Sequence, residues 1–227
     1  MKTLQQHEQF EMSVLDEMRK TRVLDHLIFG GGTMLRLCFD LPRYSVDLDF
    51  YLKKDRKSFL PWAEKMMARF DEMGAQITDR HEKHYSFLWE IRMPSYPRRL
   101  KIEIRKETKL DRISKTEITI AHSVFSPLQV RLTALTLEQM WWNKAAAMAD
   151  RNEIRDAFDL EFLTRRQAGR FEDLDLKTLK TLLGRIDGYT EQDYKAKLGG
   201  LLEEDERKVI LSNRFAYLRS KIQAVET

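Results

Sequence analysis

The 227-residue chain has a single cysteine, Cys38, only five prolines and nine glycines, and no long apolar run. One cysteine excludes an internal disulfide framework and a cysteine-rich zinc site, and it suits a reducing compartment. No segment approaches the roughly 20 consecutive apolar residues that a membrane-spanning helix needs. The opening stretch MKTLQQHEQFEMSVLDEMRK lacks the apolar core of a secretory signal and reads as an amphipathic helix. The expectation is a cytoplasmic protein without a membrane segment. Internal repeats, low-complexity tracts and flexible linkers are missing as well. So is a strong charge bias: 40 basic against 36 acidic residues leave +4, which permits nucleic-acid contact without demanding it.

What is present is an ordinary globular mixture, 42% hydrophobic and 33% charged, long enough to bury a core. Residues from about Gln5 to His26 carry an apolar stripe at helical spacing (Phe10, Val14, Leu15, Met18, Val23). LIFGGG reads as a short strand entering a glycine turn, and TMLRLCF as a helix that Pro42 ends after Asp40 and Leu41. SVDLDFYL alternates polar and apolar residues as a strand does, and SFLPWAEKMMARFDEMG is a helix closing on Gly74. AQITDRHEK, HYSFLWEIRM and RRLKIEIRKE are extended, and EITIAH is a short edge strand. From SPLQVRLTAL onward the strand signals fade, and five helices account for the rest. The implied architecture is α+β, with a mixed β-sheet and flanking helices in residues 1–126 and a helical bundle in residues 127–227.

Chemistry concentrates in IFGGGTMLRLCFDLPRYSVDLDF. Residues two apart on a strand share a face, so Ser45, Asp47 and Asp49 point one way while Val46, Leu48 and Phe50 face a core. Two carboxylates one strand repeat apart repel unless a cation sits between them, and an all-oxygen set suits Mg²⁺ or Mn²⁺. Taken alone, DLD is more often a solvated strand face. A glycine turn opening a helix exposes backbone N–H groups at the positive end of the dipole, which suits phosphate, and Thr33 adds a hydroxyl. The turn fits neither the dinucleotide fingerprint nor the P-loop. Glu103, between Ile102 and Ile104, shares its face with Lys101 and Arg105, and beside the DLD strand it would supply a third carboxylate.

Together, Gly31-Gly32-Thr33, Asp47 with Asp49, and Glu103 resemble the signature of the polymerase-β-type nucleotidyltransferases. Within that superfamily the chain resembles the AbiEii/AbiGii-like toxins of type IV toxin–antitoxin systems. GGTMLRL is followed by RYSVDLDFYL, with Arg43, Ser45, Asp47 and Asp49 in the family's pattern. NKAAAMADRNEIRDAFDL then supplies Lys144, Arg151, Arg155, Asp156, Asp159 and Leu160. The likeness runs from about Leu27 to Leu163, with an extra glycine, Gly30, before the usual pair.

The resemblance implies a nucleotidyltransferase fold and transfer of a nucleotide from an NTP to an acceptor hydroxyl. It implies catalytic Asp47, Asp49, Glu103, Lys144 and Asp156, with Mg²⁺ or Mn²⁺ on Asp47, Asp49 and Glu103. The nucleotide would be held by Gly31, Gly32, Thr33, Ser45 and Lys144. An RNA acceptor, the 3′ end of tRNA, and a cognate antitoxin are the partners implied. Antibiotic-type transfer to a small molecule, a non-catalytic nucleotide-binding protein and a glycosyltransferase are the alternatives. His81 and His84 read as solvent-facing, and Trp141-Trp142 as packing residues.

Overall fold

The computed structural model describes residues 2–53, 55–106 and 114–226. The chain divides into two compact units, Met1–Thr136 and Leu137–Thr227.

The first unit is built on a seven-stranded mixed sheet: β1 (Leu27–Gly30), β2 (Asp47–Leu52), β3 (Gln76–Glu82), β4 (Ser86–Arg92), β5 (Leu100–Arg105), β6 (Thr116–Ser123) and β7 (Ser126–Leu135). The spatial order is β3-β4-β5-β2-β1-β7-β6, with β2 parallel to β5, β1 parallel to β7 and the other pairs antiparallel. The expected strand RRLKIEIRKE is narrower as β5, and its last residue, Glu107, lies outside the described residues. Three helices accompany the sheet: α1 (Lys2–Lys20), α2 (Gly31–Phe39) and α3 (Arg56–Glu72).

One face of the sheet is core. Phe29, Leu48, Phe50, Ile102, Ile104, Phe87, Trp89 and Ala134 are linked by register and buried, as are Val130 and its partner Ala121. Each large side chain removed from water contributes roughly 1.5–3 kcal/mol. Phe59 of α3 meets Phe87 with ring centres 5.7 Å apart. α3 begins where the Asp55 carboxylate accepts from the N–H groups of Lys57 and Ser58, and it ends before Gly74, whose φ of 76° is left-handed. α1 stops earlier than its apolar stripe suggests, because Arg22 turns left-handed and Val23–His26 form a separate 3₁₀ turn.

The sequence places Ser126–Leu135 outside the sheet; it is β7, which lies inside it between β1 and β6. Leu128, Leu132 and Leu135 sit at i, i+4 and i+7 and imitate a helical stripe. The operative pattern is Val130, Leu132 and Ala134 at alternate positions, all buried.

The second unit holds α4 (Leu137–Arg151), α5 (Ile154–Arg165), α6 (Leu176–Gly188), a π-helical turn (Asp193–Leu198), α7 (Glu204–Asn213) and α8 (Ala216–Glu226). The last helix expected from the sequence is two, because consecutive residues Arg214 and Phe215 have φ of 43° and 59°. That break lets the Phe215 ring bury completely beside Tyr194.

Candidate active site

β1 runs directly into α2 through Gly30-Gly31-Gly32, and β2 returns beside it. Gly31 has a φ of 76°, which favours glycine, and a Cβ there would lie 2.2 Å from Asp49 Oδ2. Gly32 is pinned differently: a Cβ would come within 2.5 Å of Arg43 Nη2 and 2.9 Å of Ser45 Oγ. The glycines are therefore what allows Asp49, Arg43 and Ser45 to crowd against the start of α2. The N-cap position of that helix is Gly30, which has no side chain to cap it, and no acid lies in its first turn. The positive end of the dipole favours an anion there.

Register brings the carboxylates together. Gly30 is opposite Asp49 on one side, and Asp49 is opposite Glu103 on the other. Asp47 pairs with Lys101, so Asp47, Asp49, Lys101, Glu103 and Arg105 share the sheet face that the core does not use. Lys101 Nζ lies 3.4 Å and Arg105 Nε 3.7 Å from the Glu103 carboxylate. Arg105 also sits over the Tyr51 ring at 5.7 Å. Among the described residues, no three His, Cys, Asp or Glu side chains are gathered as a finished metal cage. The donor chemistry still fits a hard divalent cation, because Asp47, Asp49 and Glu103 offer only carboxylate oxygens on one face.

Two expectations change in detail. Ser45 does not share the strand face with Asp47 and Asp49, because β2 begins only at Asp47 and Ser45 lies in the loop before it. Thr33 is fully buried, and its hydroxyl donates to the backbone carbonyl of Asp47 at 2.5 Å. Its side chain holds the strand rather than facing outward.

In the helical unit, Lys144 of α4 lies between two carboxylates of α5: Nζ is 2.8 Å from Asp156 Oδ1 and 2.6 Å from Asp159 Oδ2. Arg151 donates to both oxygens of Asp156 at 2.7 and 2.9 Å. Burial alone would raise the Asp156 pKa; the Lys144 charge and the Arg151 hydrogen bond outweigh it and hold the carboxyl well below its ordinary value. Asp156 falls in the first turn of α5 as expected, but Glu153 occupies the N-cap and Asn152 is left-handed with a φ of 50°. Trp141 is buried and donates to Thr164 Oγ1 at 3.1 Å, packing against Trp142 and Phe171. His81 is exposed and pairs with Asp79.

Sequence reasoning missed a polar cluster on α1. His7, Glu8 and Glu11 are buried; Glu8 accepts from Arg36 at 2.9 Å and Ser123 at 2.6 Å, and His7 Nε2 lies 3.0 Å from Val46 O. The signal was there, since positions 7, 11, 14 and 18 follow one helical stripe. Burial pushes the Glu11 carboxyl well above its ordinary pKa, with the charges of Glu8 and Asp47 adding to it. Burial also lowers the His7 pKa, against the hydrogen bond to Val46.

Comparison with known proteins finds a family and structures of similar fold. The family model for the AbiEii nucleotidyl transferase toxin of type IV toxin–antitoxin systems matches residues 13–223. No curated protein matches the chain. Two solved structures from Helicobacter pylori share its fold. One, described as a candidate nucleotidyltransferase, is 18% identical with a TM-score of 0.56 and covers 96% of this chain and 98% of its own. The other, JHP933, is 17% identical with a TM-score of 0.52 and 94% coverage of both. MenT4, the nucleotidyltransferase toxin Rv2826c from Mycobacterium tuberculosis H37Rv, is 16% identical over 93% of this chain and 85% of its own, with a TM-score of 0.48.

Proposed function

The chain belongs to the AbiEii nucleotidyl transferase toxin family of type IV toxin–antitoxin systems, and from that premise we propose that it transfers a nucleotide from an NTP to RNA. The acceptor is the 3′ hydroxyl of tRNA, and the reaction depends on a divalent cation, Mg²⁺ or Mn²⁺. The observation that carries the reading is the register of β2 between β1 and β5, which sets Asp49 beside both the glycine turn and Glu103.

In this mechanism the start of α2, at Gly31 and Gly32, receives the triphosphate through its backbone N–H groups and helix dipole. The Ser45 hydroxyl, crowded against Gly32, adds a donor. Asp47, Asp49 and Glu103 would hold the cation, which when bound neutralises phosphate charge and lowers the pKa of a coordinated acceptor hydroxyl. Lys101 and Arg105, on the same face as Glu103, offset the carboxylates and attract the acceptor's phosphate backbone. Lys144, held by Asp156 and Asp159 within the helical unit, is the further nucleotide-binding residue that the family likeness implies. Asp156, tied down by Arg151, orients that lysine. The family implies a cognate antitoxin, and a cytoplasmic location follows from an NTP and tRNA as substrates.

The acceptor is tested by incubating the purified chain with each α-labelled NTP, Mg²⁺ and total tRNA, either intact or with its 3′ diol oxidised by periodate. Label on intact tRNA alone is the expected result. Label on oxidised tRNA would move the acceptor site away from the 3′ end. Label only on small molecules, when a metabolite extract replaces the tRNA, would favour an antibiotic-type transferase.

A further inference from the structure

Asp47 is the first residue of β2, and the loop before it, from Asp40 to Val46, has no regular structure. The end of a strand is where a ladder frays, yet Asp47 is held on both sides. Thr33 donates its hydroxyl to the carbonyl of Asp47 itself, and His7 reaches the carbonyl of Val46 just before it through Nε2 at 3.0 Å. The β2–β5 register begins at Asp47, opposite Lys101. His7 adds a side-chain donor to the Val46 carbonyl at the very start of the ladder.

The donor is itself rigidly mounted. His7 is fully buried and packs edge-on to Phe10 with ring centres 6.5 Å apart. One residue along α1, Glu8 bridges to Arg36 of α2 and Ser123 of β6. Arg36 in turn donates to the carbonyl of Leu41, in the loop that leads to Asp47. The helix is thus fastened to both ends of that loop. A histidine suits this task, because its planar ring delivers an N–H at fixed reach with only two torsions to freeze. Its other nitrogen, Nδ1, has no hydrogen-bond partner among the described residues, nor does the nearby Glu11 Oε1. With Nδ1 unpartnered, Nε2 fixes the ring, through its hydrogen bond to Val46 and its approach to within 3.6 Å of Glu11 Oε1. The family match begins at residue 13, so this strut comes from a segment outside it.

We propose that His7 is a positioning residue for Asp47: it clamps the carbonyl preceding the aspartate while Thr33 clamps the one that follows, fixing the direction in which the carboxylate is presented. The inference rests on Asp47 being a ligand for the divalent cation, as put forward above.

The test uses the purified full chain and Mn²⁺ alone, with bound metal followed by electron paramagnetic resonance and folding by thermal denaturation. Wild type binds, and Asp47→Asn loses binding. His7→Leu, which deletes the donor, weakens Mn²⁺ affinity about tenfold, the lower end of the range for outer-shell changes at metal sites. His7→Gln, which returns an N–H near the Nε2 position, restores most of it. Leu182→Ala, a core truncation in the helical unit, lowers the melting temperature without moving Mn²⁺ affinity and so marks what a purely structural change does. Unchanged Mn²⁺ affinity in His7→Leu overturns the proposal while leaving the metal site intact. If His7→Leu does not fold, His7→Phe carries the same comparison. If neither folds while His7→Gln behaves as wild type, His7 serves the fold alone and the proposal falls. A wild-type chain that binds no Mn²⁺ overturns the metal assignment and this inference with it.

Discussion

Replacing Gly31 with alanine separates backbone strain from crowding at the candidate site. Gly31 and Gly74 share a φ of 76°, but a Cβ at Gly74 meets nothing within 4 Å, whereas one at Gly31 would sit 2.2 Å from Asp49 Oδ2 and 2.8 Å from Asp49 Cβ. A non-glycine residue in the left-handed region costs about 1–2 kcal/mol, and Gly74→Ala should lose that much and no more. Gly31→Ala carries the same strain plus an overlap of about 1 Å with Asp49, which adds about 1–3 kcal/mol as over-packing does. The overlap can be relieved only by moving Asp49 or opening the β1–α2 turn. A displacement of about 1 Å in a reacting group can cost about a hundredfold in rate. Urea unfolding of both variants, with nucleotide transfer measured alongside, gives the two differences. Gly74→Ala should transfer as wild type does. Equal stability losses in the two variants, with transfer retained in Gly31→Ala, would refute the close approach of Asp49 to the turn and the role given to it.

Three further outcomes follow from the buried charges. Lys144→Met removes the lysine from between buried Asp156 and Asp159 while Arg151 stays on Asp156, and should cost about 3–5 kcal/mol, read as faster amide exchange across α4 and α5. A loss below about 1 kcal/mol would show that the lysine is not engaged as described. Glu11 has a folded-state pKa above its unfolded value, so its contribution is fully present below about pH 4.5 and is lost as pH rises through the folded value. Glu11→Gln should therefore melt higher than wild type near pH 8 and lose that advantage near pH 4.5; an advantage independent of pH would contradict the assignment. Burial, with Glu117 and Asp40 adding to it, pushes the Cys38 thiol up to about 12, so iodoacetamide should modify it at least about a hundredfold more slowly in the folded chain than in urea at pH 8.

The local devices of the site were legible because they depend on short-range periodicity. GGGT and DLD announce a turn and a two-faced strand, and IEI places Glu103 outward between two core residues, as the register shows. That β2 and β5 are neighbours could only be conjectured, since pairing across 50 residues leaves no local mark. β7 was hidden because its leucines fit two periods at once, and tertiary pairing with β1 and β6 decides between them. Arg214 and Phe215 look like helix interior and become a break because the core captures the Phe215 ring. The ion pairs around Lys144 join side chains from separate helices, and nothing in NKAAAMADRNEIRDAFDL says that Asp159 as well as Asp156 will meet the lysine. His7 and Glu11 were passed over because polar residues on an apolar stripe read as its boundary, whereas here they are buried within it.

The most direct test of nucleotidyl transfer at this sheet face compares wild type with Asp47→Asn and Glu103→Gln, each checked for an unchanged melting profile. The assay supplies all four α-labelled NTPs, Mg²⁺ and total RNA. The account predicts label on RNA from one or more NTPs with wild type, and none above background with either variant. Label transferred equally well by Asp47→Asn would place the chemistry elsewhere in the molecule and contradict it.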